Sequence, residues 1–287
     1  MNPQKIAILA DSCCDIPIQE AAEKGIYIVP LIISGDDGEH ADGVDIVSSD
    51  IYQRLAAGES LKTSLPSGLA VEKVLNHIKE QGYEKVVAVM LSSGLSGTYN
   101  LLRLTAETRH DLEIAVFDSN NGALGCGMML YQLAEDIENG MDWDTLIQKR
   151  VPQLIQNTFP FFSVDTLEYL QKGGRIGLVS AMAGTMLNIK PILTFAEDGQ
   201  LKNVAKVRGM KQVQAKFIET IRQLKGDHKK FNLAVANGAA PELMASLRAQ
   251  MEAEFPGYDH FYQGEIGATL SVYIGPGILG AAITILD

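Results

Sequence analysis

Val86-Val87-Ala88-Val89-Met90-Leu91-Ser92-Ser93-Gly94-Leu95-Ser96-Gly97-Thr98-Tyr99 decides how this chain folds. Its first six residues are an unbroken apolar run, the pattern of a strand buried on both faces. Asn100-Leu101-Leu102-Arg103-Leu104 then opens a helix. Between the two lie hydroxyl side chains and two glycines. In a doubly wound sheet, such strand-to-helix turns are where ligands are held. Backbone amides and the positive end of the helix dipole suit an anion there, and hydroxyls add donors without adding charge.

The neighbouring sequence repeats this alternation. Residues 5–10 read as a strand, followed by Asp11-Ser12-Cys13-Cys14-Asp15 and by Pro17, a residue suited to a first helical turn. A second strand is expected over 26–33, an exposed acidic loop over 35–45, and helices over 50–57 and 71–82. Lys62-Thr63-Ser64-Leu65-Pro66-Ser67 reads as a loop, since Pro66 turns Leu65 away from helix. A strand over 113–117 and helices over 122–138 and 142–156 complete an α/β domain, 1–157, with a parallel sheet covered on both faces. From about residue 158 the pattern changes. Strands are expected over 159–164 and 231–236, with helices over 166–171, 178–187, 213–224 and 241–254. Asp198-Gly199 between two apolar runs signals a hairpin. Strand-like runs follow at 268–274 and 281–286. This mixture predicts an α+β domain, 158–287, with a mixed or antiparallel sheet.

Composition narrows the function. The 287 residues carry a net charge of -11, which excludes a nucleic-acid binder relying on counterion release. No basic run suits an anionic membrane, and no apolar run approaches the roughly 18–20 residues of a membrane span. The N-terminus has no signal-peptide pattern. Three cysteines, Cys13, Cys14 and Cys126, form no disulfide framework, and a reducing, cytoplasmic setting is expected.

Individual motifs remove other classes. No Gly-Lys pair occurs, so there is no phosphate loop. The five histidines are scattered and a metal site is not expected. Gly94-Leu95-Ser96-Gly97-Thr98 nearly makes a nucleophile elbow, but Thr98 stands at the second glycine position and no histidine is marked as a base. Gly275-Pro276-Gly277-Ile278-Leu279-Gly280 matches a dinucleotide fingerprint literally. Only seven residues follow it, so it reads as a tight turn. Asp11 and Asp15 fit either a site-lining turn or local Asx capping, and the second suits an anion site better. Taken alone, Thr63-Ser64 is turn chemistry and Lys172-Gly173-Gly174-Arg175 is a helix C-cap.

Taken in order, the motifs resemble the DegV family, whose better-understood members are the fatty-acid-binding subunits of bacterial fatty acid kinase. Asp11-Ser12 with Asp15, Lys62-Thr63-Ser64-Leu65-Pro66-Ser67 and the 91–99 stretch are each similar to a family motif. So are Phe117-Asp118-Ser119, residues 166–176 ending in Gly173-Gly174-Arg175-Ile176, Ile189-Lys190-Pro191-Ile192, Lys206-Val207-Arg208 and Ile274-Gly275-Pro276-Gly277.

The resemblance implies a long-chain fatty acid in an apolar tunnel, its carboxylate held by Thr63 and Ser96 with Ser93 close by. Arg175 is carried over as a secondary site residue or partner contact. The protein would supply no catalytic residue and need no cofactor. It would present its ligand to a separate fatty acid kinase for acyl-phosphate formation, without inserting in a membrane. The alternative is a serine-dependent hydrolase or transferase of acyl or phosphoryl groups, with Ser96 or Ser93 as nucleophile. Many family members carry a histidine just before the final glycine turn. Here that position is Tyr273, which offers a hydroxyl but cannot become cationic.

Overall fold

The structure, a computed structural model, describes residues 2–182 and 189–287. Strands β1 (Ile6–Asp11), β2 (Ile26–Val29), β6 (Lys85–Met90) and β7 (Glu113–Asp118) form a four-stranded parallel sheet in the order β2-β1-β6-β7. Between β2 and β6, strands β3 (Ile32–Gly35), β4 (Gly38–Ala41) and β5 (Lys62–Ser64) form a separate antiparallel sheet in the order β4-β3-β5. Strands β8 (Thr158–Ser163), β9 (Ile189–Phe195), β10 (Leu201–Arg208), β11 (Phe231–Gly238), β12 (Phe261–Glu265) and β13 (Ile278–Ile285) make a mixed sheet in the order β10-β9-β8-β13-β11-β12. Only β11 and β12 are parallel there.

The helices are α1 (Ile18–Glu23), α2 (Ser48–Ala56), α3 (Gly68–Glu80), α4 (Thr98–Thr108), α5 (Ala123–Glu138), α6 (Trp143–Thr145), α7 (Val151–Asn157), α8 (Glu168–Lys172), α9 (Gly209–Lys225), α10 (Pro241–Glu254) and α11 (Ala268–Ile274). The pleat sorts β1 between two layers. Ala7 and Leu9 meet Val71, Leu75 and Ile78 of α3 and Leu102 of α4. Ile6, Ile8 and Ala10 meet Ala21 of α1, Leu154 of α7, and Met129, Leu130 and Leu133 of α5. The opposite side of α5, with Leu124 and Met128, packs on Ala234 and Ala282 of the mixed sheet. Twelve of the sixteen α5 residues are buried, because one helix is shared by two sheets. Helices α9 and α10 cover the far face of the mixed sheet through Val213, Phe217, Ile221, Leu247 and Met251.

Several local expectations give way to tertiary structure. The expected strand over 26–33 breaks in two. Pro30 has no amide to donate and the Leu31 amide bonds the Ser12 hydroxyl at 3.1 Å, so the chain leaves one sheet and enters another. The expected acidic loop over 35–45 contains β4, paired with β3, and the expected loop at 62–67 begins with the short strand β5. The helix over 142–156 contains a wider π turn, Leu146–Arg150, just ahead of Pro152, whose missing amide interrupts regular pairing. Residues 268–274, rich in strand-favouring side chains, form helix α11 instead. Asp42 accepts from the free first-turn amides of Ala268 at 3.1 Å and Thr269 at 3.3 Å, and Gly275, at φ 66°, ends the helix. Strand β12 was not anticipated. The expected helix over 178–187 begins as a 3₁₀ stretch, Gly177–Met182, and the rest lies outside the described residues.

Candidate functional site

Asp11, at the C-terminal end of β1, fixes the loop that follows β6. One carboxylate oxygen accepts from Leu91 N at 2.8 Å and the other from Cys13 N at 3.0 Å. Asp11 is therefore an Asx-type brace. Burial pushes its pKa up to about 6, against the pull of those two amides and helped by nearby Asp42. Buried Ser92 continues the brace. Its carbonyl accepts from Leu95 N and Ser96 N, and its hydroxyl donates to Gly199 O at 2.8 Å. The loop thus lies against the β9–β10 hairpin. Gly94 sits so close to the Gly199 backbone that a Cβ there has no space.

Beside this loop, between the two larger sheets, lies a cavity of about 290 Å³. Its walls are mainly apolar, with Leu91, Leu95, Phe162, Phe195, Leu270 and Ile278 among them. Three of its polar side chains, Thr63, Tyr273 and Arg175, are linked by contacts. Thr63 Oγ1 and the Tyr273 hydroxyl are 2.5 Å apart. The Arg175 guanidinium lies over the Tyr273 ring, 5.1 Å from its centroid, and its Nε donates to Leu95 O at 3.3 Å. Ser96, next in sequence, pairs its Oγ with Thr98 Oγ1 at 2.9 Å, at the start of α4. Arg175 is the one charged side chain lining the cavity among the described residues.

Thr63, Ser96, Arg175 and Tyr273 therefore line one cavity although they are widely separated in sequence. Ser93 does not. It is exposed, lies outside the lining, and its amide donates to Asp118 Oδ1 at 3.1 Å. Among the described residues no histidine lines the cavity, and no cluster of His, Cys, Asp or Glu has the arrangement of a metal site. Cys13, Cys14 and Cys126 are buried, and burial raises all three thiol pKa values. Gly275 and Gly277, both at positive φ, make the tight turn expected from the Gly-Pro-Gly sequence.

Sequence reasoning missed Ser64, Thr269 and the small-residue walls on α5, β11 and β13. Thr269 Oγ1 is buried and has no hydrogen-bond partner among the described residues. The walls had a readable signal, the alternation Leu233-Ala234-Val235-Ala236 and the run of small residues Gly280-Ala281-Ala282 inside an apolar strand.

An internal apolar pocket with a small polar cluster, set between a parallel and a mixed sheet, defines an α/β ligand-pocket fold. The chain belongs to the DegV family. The family model, described as that of an uncharacterised protein, matches residues 5–285. A DegV domain-containing protein of Clostridium acetobutylicum is 34% identical over 280 residues, covering 98% of this chain and 99% of the relative. A fatty-acid-binding DegV protein from Thermus thermophilus superposes with a TM-score of 0.92 at 28% identity, covering 100% of both chains. A stearic-acid-binding protein from Eubacterium ventriosum superposes with a TM-score of 0.86 at 26% identity, covering 98% of each. No helix among the described residues is long and apolar enough to cross a membrane.

Proposed function

We propose that this protein binds a long-chain fatty acid in the cavity, with its carboxylate at Thr63 and Ser96, and presents it to a separate fatty acid kinase. The observation that carries the reading is the gathering of Thr63, Tyr273, Arg175 and Ser96, with Ser64 and Thr269, in a mainly apolar lining. An alkyl tail gains roughly 0.8 kcal/mol per buried methylene, so about ten methylenes contribute on the order of 8 kcal/mol before association costs. The carboxylate must then be met by donors, because an unpaired buried charge is prohibitive. Hydroxyls, a guanidinium and the start of α4 suit it. The fatty-acid-binding neighbours from T. thermophilus and E. ventriosum support the same ligand class.

The carrier role fits a cytoplasmic protein without a phosphate loop, the kinase supplying nucleotide chemistry. We also assign residues 1–157 and 158–287 as two domains closing on the ligand. The hydrolase alternative gains no support: Ser96 Oγ pairs with a threonine hydroxyl, and no histidine lines the cavity among the described residues.

Native mass spectrometry of the purified protein tests this reading. A mass increment released on denaturation and identified as a fatty acid is expected. A ligand-free protein that also fails to take up added palmitate overturns it. Ser96→Ala separates the classes: a carrier binds ligand more weakly, whereas a hydrolase still binds and loses turnover. Acyl-phosphate formation from the bound fatty acid by an added fatty acid kinase tests the final step.

A further inference from the structure

The mixed sheet is asymmetric where it meets the cavity. On β11 and β13 the side chains facing α9 and α10 are mainly large: Leu233, Val235, Leu279 and Ile283. On the opposite face, β11 presents Ala234 and Ala236, and β13 presents Gly280 and Ala282. These four are paired in register, Ala236 with Gly280 and Ala234 with Ala282, and all line the cavity.

Both strands are interior to the sheet, where glycine and alanine are poor strand residues. Backbone geometry does not require glycine at 280. Its φ is not positive, and an added Cβ meets nothing nearer than Phe161 O at 3.5 Å, an ordinary contact. The opposite wall differs. At Gly122 a Cβ would press on Leu91 Cδ1 at 2.9 Å, and at Gly125 it would collide with the Asn121 side chain. Packing explains those glycines, whereas cavity space explains Gly280.

The face also has a direction. Ile278 follows the turn that ends α11, the helix carrying Tyr273. Ala282, four residues further along β13, lies about 13 Å away at strand rise. Beyond it the same face is closed by Thr284, whose hydroxyl pairs with Thr158 Oγ1 at 2.9 Å and lies 3.9 Å from Met128 Sδ. Thr284, Thr158 and Met128 lie outside the cavity lining, so the space ends beyond Ala282, where side chains contact one another.

We infer that Ala234, Ala236, Gly280 and Ala282 are the length-determining floor of the cavity. They receive the distal part of a single alkyl tail, and Thr284 with Thr158 and Met128 sets the longest tail admitted. This rests on the fatty-acid reading above and assigns tail-length selection to these residues.

The test is the affinity of a homologous series of saturated fatty acids, octanoic to stearic acid, for the full-length protein and for Ala282→Leu. Each methylene denied burial costs about fourfold in affinity. Ala282→Leu is expected to weaken stearic acid about tenfold or more and to leave octanoic acid within about twofold. Gly280→Ala is the milder companion, since its new methyl has room. It is expected to raise the thermal midpoint of the ligand-free protein and to shrink the upward shift given by stearic acid. If Ala282→Leu does not fold, Gly280→Ala decides alone, and an unchanged ligand-induced shift overturns the inference. A wild-type protein that binds the series, with an Ala282→Leu variant of the same length profile, overturns the floor assignment only. A wild-type protein that binds none of the series overturns the fatty-acid reading and the floor with it.

Discussion

The Thr63 and Tyr273 hydroxyls lie 2.5 Å apart, joining strand β5 to helix α11 across 210 positions of sequence. The pair sits in the cavity lining under the Arg175 guanidinium. A hydrogen bond to a charged group contributes about 1.5–3 kcal/mol, so Thr63→Val is predicted to weaken palmitate binding by about tenfold or more. Tyr273→Phe keeps the ring under Arg175 and is predicted to cost less. Isothermal titration calorimetry checks both, and equal affinity of Thr63→Val and wild type would remove Thr63 from the site.

Asp42 is predicted to position Tyr273 without touching ligand. Its carboxylate accepts from Ala268 N, Thr269 N and the Ser12 hydroxyl, holding the first turn of α11. Asp42→Ala removes all three hydrogen bonds and is expected to cost about 1–2 kcal/mol of stability, as for a lost N-cap. Fatty-acid affinity should fall with it. Asp42→Asn retains an acceptor oxygen and should recover much of both, measured by denaturant unfolding and by titration.

The contact between Gly94 and the Gly199 backbone gives a paired comparison. A methyl at Gly94 has no room, so Gly94→Ala is expected to lose about 1–3 kcal/mol as the hairpin is pushed from the loop. At Gly97 a Cβ would meet only the end of the Leu65 side chain, at 3.4 Å, so Gly97→Ala should stay within about 0.5 kcal/mol. Urea midpoints for the two variants decide, and similar losses would mean that the loop is not held by this approach.

Asp15 carries the pH dependence. It is buried at φ 54° beside Gly267, and neither carboxylate oxygen finds a hydrogen-bond partner among the described residues. Burial first, then the neighbouring charge of Asp42, raises its pKa well above the usual carboxylate value. A folded-state pKa above the unfolded one means that the folded protein holds the proton longer. Stability contributed by this proton is full below about pH 4, the unfolded value, and is lost as pH rises toward the folded pKa. Asp11, at about 6, acts in the same direction over a narrower range. Asp15→Asn tolerates the left-handed backbone and cannot ionise. It is predicted to raise the thermal midpoint at pH 8 relative to wild type and to flatten the profile toward pH 5. A wild-type midpoint that falls on acidification from pH 8 to pH 5 would contradict this.

The parallel sheet and the loop after β6 were legible because local and tertiary preferences agree there. The apolar run at β6 has one way to be buried, and the loop after it has one place in a doubly wound sheet. The 268–274 segment was not legible. Val272, Tyr273 and Ile274 favour strand, and the opposing influence is a carboxylate more than 200 residues earlier in the chain. The division of 26–33 likewise depends on Ser12 capturing the Leu31 amide. In the candidate site, the order of motifs brought out Thr63, Ser96, Arg175 and Tyr273. Ser93, one residue from a buried neighbour, could not be placed by sequence alone, since adjacent loop residues face opposite ways.

The sharing of α5 between two sheets bears on how the chain is made. Ala123–Glu138 emerges from the ribosome long before Phe231–Gly238 and Ile278–Ile285, the strands that cover Leu124 and Met128. At ordinary elongation rates the interval is on the order of ten seconds. Throughout it, a nascent chain with a finished parallel sheet still displays an oily helix flank, the surface that holding chaperones recognise. Synthesis of Ile278–Ile285 ends that exposure and completes the wall of the cavity in the same event.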